Sequence, residues 1–94
     1  MNAERDIAKL QRLRKQAIQA AGRTAKAAKA EAEIQRRMGE ELRLQRLARR
    51  IRLRILALKL GVHPSTMTRI EQGSLPLRNE DFEIVSQLWK QSQA

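Results

Sequence analysis

The chain has 94 residues, enough for one compact domain with a short appended segment, so its hydrophobic core must be modest. It contains no cysteine and a single histidine, which excludes a disulfide framework and a metal site built from thiolates or several histidines. Twenty lysines and arginines against ten acidic residues give a net charge of +10, which indicates a polyanionic partner more strongly than simple solubility.

The sequence carries no signal for a membrane, a secretion route or catalysis. No apolar run approaches the length of a membrane span, and no charged-then-apolar secretion signal opens the chain. There is no glycine-rich phosphate loop and no pair of carboxylates in a pocket-like context. We therefore expect no enzyme, no cofactor and no metal, and a location in a bacterial cytoplasm in association with the nucleoid.

Residues 1–37 form a basic segment rich in Ala, Lys, Arg, Glu and Gln, which are good helix formers. Ile7 and Ile18 lie eleven residues apart, a spacing typical of a straight helix with a thin apolar stripe. Gly22 interrupts this stripe, so the segment is predicted to be one kinked helix or two segments hinged near Gly22. This helical arm is expected to pair with a second copy, to lie on the main domain, or to stay flexible until it binds a partner.

From Met38 onward, larger apolar residues recur at helical spacing as far as Leu60, and Gly61 ends that run. One continuous helix from Met38 to Leu60 is possible on the local pattern alone. Separate helices fit better, because only they bury Leu56 and Leu60 against later apolar residues. Residues 38–94 are therefore predicted to form a compact all-α domain of four to five helices, preceded by the helical arm of residues 1–37.

Two further helices are predicted after Gly61. Pro64 fits the first turn of the first of them, with His63 at the flanking cap position, and this helix stops at Gly73. Asn79 is the predicted N-cap of the last helix, because its side chain can accept a hydrogen bond from the first turn.

The segment from Leu56 to Gly73 has the pattern of a short helix, a glycine turn and a second short helix. Ala57 is small enough for the helices to cross closely, and Gly61 tolerates a positive φ. A helix held in this way fits the major groove of DNA. Together with an upstream helix that contains Met38-Gly39-Glu40, the segment resembles the helix-turn-helix of Cro/XRE-type phage repressors over about residues 38–90.

The resemblance implies a repressor-like domain that recognises double-stranded DNA by sequence. In that family a homodimer binds a palindromic operator through a recognition helix, here at about residues 64–72, and represses transcription. A plasmid or phage origin fits the size and the family. Two alternatives remain: an antitoxin-like autoregulator whose arm binds a second protein, and a non-specific nucleic-acid-binding protein that uses the basic arm.

The family pattern also implies roles for individual residues. Four residues fall where base-reading side chains sit: Pro64, Ser65, Thr68 and Arg69. Arg46 and Glu71 fall where the family often has a structural salt bridge between two helices. The residues expected to contact phosphates are Thr66, Arg43, Arg49, Arg52, Arg54, Lys59 and Arg78.

The sequence departs from the family pattern at several positions. A phosphate-binding glutamine at the start of the second helix is replaced by Leu53. A glycine between the first two helices is replaced by Arg50, and a core position of the first helix is occupied by Gln45, which is expected to weaken its packing. Four surplus apolar residues are expected to belong to the core or to form a surface for the arm or a second subunit: Leu44, Leu47, Ile55 and Leu58.

Overall fold

A computed structural model, which describes residues 2–92, shows five α-helices and no β-strand over those residues. The helices are α1 Ala3–Ala20, α2 Ala25–Ala48, α3 Leu53–Leu60, α4 Pro64–Glu71 and α5 Asn79–Gln91. The predicted all-α fold is therefore confirmed. None of these helices combines the length and the apolar character needed to cross a membrane.

The N-terminal arm consists of α1 and the first half of α2, so of the two arrangements predicted, a kinked helix or two segments, the structure shows two segments. Asn2 caps α1 by accepting the Arg5 amide at 2.9 Å, and Thr24 caps α2 by accepting the Ala27 amide at 3.1 Å. The chain reverses between these helices, and α1 packs against both α2 and α5. Helix α2 then continues without a break from residue 37 to residue 38, where the sequence pattern placed the boundary between the arm and the main domain.

The hydrophobic core draws on all five helices. Its fully buried large side chains include Leu10 of α1, Leu42 of α2, Leu56 of α3, Met67 of α4 and Trp89 of α5. Burial of one such side chain contributes about 1.5–3 kcal/mol, so α1 supplies a substantial share of the stability of a domain this small. Of the three arrangements expected for the arm, the structure shows α1 lying on the main domain.

Helices α2, α3 and α4 end in the same kind of turn, in which one residue adopts a left-handed conformation. At the end of α2, the Arg50 amide donates to the Leu47 carbonyl at 3.0 Å, and the next amide donates to the Arg46 carbonyl at 3.2 Å. Arg50 has a φ of 56°, while Gly61 and Gly73, which occupy the same place after α3 and α4, have φ values of 70° and 82°. This turn separates α2 from α3, so a single helix from Met38 to Leu60 is excluded.

Replacing Arg50 with glycine is expected to raise the free energy of unfolding by about 0.5–1 kcal/mol, because glycine adopts a positive φ without steric cost. The side chain of Arg50 is exposed, so little packing is lost. Urea denaturation measures the effect. Arg50→Ala is the matched control: it removes the guanidinium but keeps the Cβ atom, and it should give no such gain. A glycine variant no more stable than the alanine variant would contradict the prediction.

Helix α2 touches the backbone at the end of α4. A Cβ atom placed on Gly39 would lie 2.6 Å from the carbonyl oxygens of Ile70 and Glu71. A Cβ atom on Gly73 would likewise lie 2.5 Å from the Cα atom of Arg36. Two glycines therefore permit a backbone-to-backbone contact that sets the position of α4 relative to α2.

Replacing Gly39 with alanine is expected to lower the free energy of unfolding by about 1–3 kcal/mol, because backbone atoms must move to admit the Cβ atom. This loss should exceed the gain of about 1 kcal/mol from the better helix propensity of alanine. Thermal or urea denaturation measures it. Ala28→Gly at an exposed position of α2 gives the propensity effect alone. If Gly39→Ala stabilises the protein by the amount that Ala28→Gly destabilises it, the close contact is absent.

Of the two N-caps predicted for the last two helices, one is confirmed and one is wrong. His63 caps α4 as expected, since its Nδ1 atom accepts the Ser65 amide at 3.1 Å. The prediction for α5 was wrong by one residue: α5 begins at Asn79, and Arg78 is the N-cap. The physical reason is Asp81, whose carboxylate reaches back and accepts the Arg78 amide at 2.8 Å.

Candidate nucleic-acid interface

Helix α4 has one buried face and one exposed face. Met67 and Ile70 are buried in the core, and Glu71 is buried beside them. The four residues predicted to read bases, Pro64, Ser65, Thr68 and Arg69, are all exposed. Their spacing places them together on the side of the helix that faces away from the core. The core therefore holds the buried face of α4, and these four side chains lie on its outer face.

The side chains on this exposed face differ in how many internal partners they have. Ser65 Oγ lies 2.8 Å from His63 Nδ1, and Thr68 Oγ1 donates to the Pro64 carbonyl at 3.2 Å. Arg69 has no side-chain hydrogen bond or ion pair with any other residue between 2 and 92. Its guanidinium is therefore available to donate two parallel hydrogen bonds to an external acceptor such as guanine.

A buried ion pair fixes α4 to α2. Arg46 Nε donates to Glu71 Oε2 at 2.6 Å, and Arg46 Nη2 donates to Glu71 Oε1 at 3.0 Å. Arg46 Nη1 also donates to the carbonyl of Ile51, in the turn before α3, at 2.8 Å. Both charged side chains are almost entirely buried. This bidentate geometry locks three parts of the motif together through one guanidinium.

Most of the predicted phosphate contacts lie on exposed surface around the motif. Four of the predicted residues are exposed cations that make no ion pair among residues 2–92: Arg43, Arg52, Arg54 and Lys59. Arg52 precedes α3 directly and Arg54 lies in its first turn, where the helix dipole also favours an anion. Thr66 is half-buried on α4 and does not cap the helix.

Arg49 must be removed from the predicted phosphate contacts, because its side chain is completely buried. Its Nη2 atom donates to Asp6 Oδ2 at 2.7 Å and its Nη1 atom donates to the Gln45 carbonyl at 3.0 Å. The guanidinium also lies 4.9 Å from the centre of the Trp89 ring. No local signal indicates this role, because Asp6 is 43 residues away in the chain.

Gln45 does not weaken the packing in the way the sequence suggested. Its side chain is buried, and its Oε1 atom accepts a hydrogen bond from Trp89 Nε1 at 2.8 Å. Its Nε2 atom donates to the Asp6 carbonyl at 2.9 Å and to Glu41 Oε2 at 3.2 Å. The amide therefore joins α2 to α1 and α5, and a polar side chain in the core is satisfied.

Arg78 is exposed but already engaged by neighbouring acids. Its Nη2 atom lies 3.0 Å from Asp81 Oδ1, and its Nη1 atom lies 3.6 Å from Glu80 Oε1. The hydrogen bonds and charge of Asp81 hold the pKa of the Arg78 guanidinium above its usual value. A phosphate bound there would have to share the guanidinium with these carboxylates, so Arg78 is the weakest of the remaining phosphate candidates.

The four surplus apolar residues lie on the surface, so the interpretation of them as ordinary core is wrong. Leu58 is 73% exposed, Leu44 is 50% exposed, Leu47 is 46% exposed and Ile55 is 40% exposed. Ile55 and Leu58 line a shallow groove that reaches Pro64 at the start of α4. Helix α1 packs against α2 and α5 instead of filling this groove. An apolar surface therefore remains open beside the motif.

Comparison with known proteins supports the helix-turn-helix arrangement of α2 to α5. A family model described as "Helix-turn-helix domain" matches residues 37–92. The matched range holds the second half of α2 and the whole of α3, α4 and α5. No curated protein and no solved structure matches the chain. Because the match covers more than half of the 94 residues, the chain belongs to the helix-turn-helix domain family.

Proposed function

We propose that this protein is a sequence-specific DNA-binding transcriptional regulator, a repressor of the Cro/XRE type that acts as a homodimer on a palindromic operator. The observation that carries this proposal is the division of α4 into two faces. Its buried face is locked by Glu71 and Arg46, while its exposed face presents Arg69 with an unpaired guanidinium. A fixed helix with a free arginine on its outer face suits readout of guanine in the major groove.

The charges around α4 supply the rest of the binding energy. Arg43, Arg52, Arg54 and Lys59 are exposed and unpaired among residues 2–92, so they are free to contact phosphates. Such contacts fix the orientation of a protein on the duplex without reading its sequence. Base contacts from Pro64, Ser65, Thr68 and Arg69 then select the site. Repression follows when the bound protein blocks RNA polymerase.

Dimerisation is proposed because α4 has only eight residues and can read only a short site by itself. Two copies related by a twofold axis would read two half-sites, which multiplies the specificity. The exposed apolar residues Leu44, Leu47, Ile55 and Leu58 provide a surface that a second copy could cover. Deleting α1 would be a poor test of dimerisation, because it removes Ile7 and Leu10 from the core.

The proposal is tested by selecting bound sites from a random DNA pool at near-physiological salt. We expect an enriched inverted repeat, which would establish specific recognition by a dimer and identify the operator. A single enriched half-site would contradict the dimer. Salt-sensitive binding with no enrichment would support the second candidate, a non-specific nucleic-acid-binding protein, which the excess of unpaired cations favours. Sedimentation of Leu44→Ser and Leu58→Ser variants would show which apolar residues a second copy covers.

A further inference from the structure

The ion pairs of the structure leave most of the positive charge without a partner. Only six of the twenty lysines and arginines take part in an ion pair among residues 2–92: Lys9, Arg36, Arg37, Arg46, Arg49 and Arg78. Apart from Arg5 and Lys90, the remaining cations fall into two separate groups along the chain. One group lies between residues 43 and 69, in the helix-turn-helix motif, and the other lies between residues 12 and 29, outside the matched family range.

The second group surrounds the end of the hairpin formed by α1 and α2. Residues 7–30 contain no acidic residue, and the two helices meet at residues 21–24 within this stretch. Arg14 is partly covered, because its guanidinium lies 5.2 Å from the centre of the Phe82 ring. The other five, which we call the hairpin cations, are all exposed: Arg12, Lys15, Arg23, Lys26 and Lys29.

Residues 33–40 of α2 provide a comparison, because their exposed positive and negative side chains pair with one another. Between residues 33 and 40, Arg36 pairs with Glu33 at 2.8 Å and with Glu40 at 3.4 Å. The hydrogen bond and the charge of Arg36 lower the pKa of the Glu33 carboxyl. Nearer the start of the same helix, Lys26 and Lys29 are separated only by alanines, and neither makes an ion pair with another residue between 2 and 92. Positive charge without interspersed negative charge marks a surface for a polyanion.

The hairpin cations lie too far from the motif to share its phosphate contacts. Lys29 and Arg43 are fourteen residues apart on one continuous helix, which corresponds to roughly 21 Å along its axis. That distance equals about six base-pair steps of a duplex, at 3.4 Å per step. A duplex long enough to meet both groups must therefore extend past the short site that α4 reads.

We propose that the hairpin cations form a second phosphate-binding surface, which contacts the DNA backbone flanking the site read by α4. This inference rests on the proposed function, because it assumes that α4 binds a defined site. The surface would add affinity through the release of counterions and would add no base preference. It would also make binding depend on the length of the duplex beyond the site.

The test compares two double variants that remove the same amount of charge. Lys26→Gln/Lys29→Gln removes two hairpin cations, and Arg5→Gln/Lys90→Gln removes two exposed cations outside both groups. Glutamine keeps the helix propensity close to that of lysine and arginine. Binding of each variant is measured over a range of salt on a duplex trimmed to the selected site and on one extended by a full turn on each side.

On the extended duplex, the hairpin variant is expected to bind roughly three- to tenfold more weakly than wild type, with a salt slope smaller by about 1.8. On the trimmed duplex it should match the control variant. The inference would be overturned if both variants lost the same affinity for the extended duplex, or if the hairpin variant lost the same affinity for both duplexes.

Failure of the proposed function is distinguishable, because no selected site would then exist. In that event the salt dependence of binding is compared for the two variants on a random-sequence duplex. Equal slopes would overturn the inference that the hairpin cations bind phosphates.

Discussion

Replacing Glu71 with alanine is expected to lower the free energy of unfolding by about 3–5 kcal/mol, because it leaves the buried Arg46 guanidinium without its countercharge. In the native protein that guanidinium makes two hydrogen bonds to Glu71 and one to the Ile51 carbonyl. A loss of this size approaches the whole stability of a small domain. Urea denaturation followed by circular dichroism measures it.

The control for this prediction is the double variant Arg46→Met/Glu71→Leu. Since apolar side chains of similar volume avoid the cost of desolvating both charges, the double variant should recover much of the stability lost in Glu71→Ala. A Glu71→Ala protein that loses less than about 1 kcal/mol would show that the ion pair is not buried in solution. Such a result would contradict the inference that this ion pair holds α4 against α2.

Replacing Arg69 with alanine is expected to weaken binding to the selected site by about 1–3 kcal/mol, roughly five- to 150-fold, and to relax the preference for one base. The reason is the position of Arg69 on the exposed face of α4, where no internal partner occupies its donors. Titration of the cognate duplex and of duplexes with single substitutions measures both effects. The exposed side chain is not part of the core, so the melting temperature should hardly change.

The matched control is Lys59→Ala, which removes an exposed cation of α3 without touching the outer face of α4. As a phosphate contact, Lys59 should weaken binding to all sequences by the same factor and reduce the salt slope by about 1. If Arg69→Ala behaves like Lys59→Ala, Arg69 contacts phosphate and the base-reading role passes to Ser65 or Thr68. The two variants together therefore separate readout of bases from attraction to the backbone.

Helix α1 packs into the core of the helix-turn-helix domain, although it lies outside the residues that match the family. The family match begins at residue 37, yet Leu10 of α1 is fully buried, and Asp6 holds Arg49 beneath the Trp89 ring. The helix-turn-helix in this protein is therefore completed by a helix from outside the matched range. Variants that disturb α1 are expected to act on the stability of the whole domain, so DNA binding by such variants has to be compared at equal folded fraction.

The local sequence was sufficient to identify the motif. Helical spacing of apolar residues predicted the all-α fold, Gly61 and Gly73 marked the ends of α3 and α4, and Pro64 with His63 marked the start of α4. These signals are readable because helix ends and amphipathic faces depend on residues a few positions apart. The resemblance to the family implied that Pro64 and Arg69 lie on the outer side of this helix, and the structure places both on the exposed side of α4.

Only the tertiary structure decided the roles that depend on distant partners. The burial of Arg49 and Gln45 follows from Asp6 and Trp89, more than 35 residues away in either direction. The exposure of Leu58 follows from the docking of α1 on α2 and α5 instead of on α3. A charged or apolar residue on a helix is compatible with either surface or core, because its own sequence sets its face but not the element that covers that face.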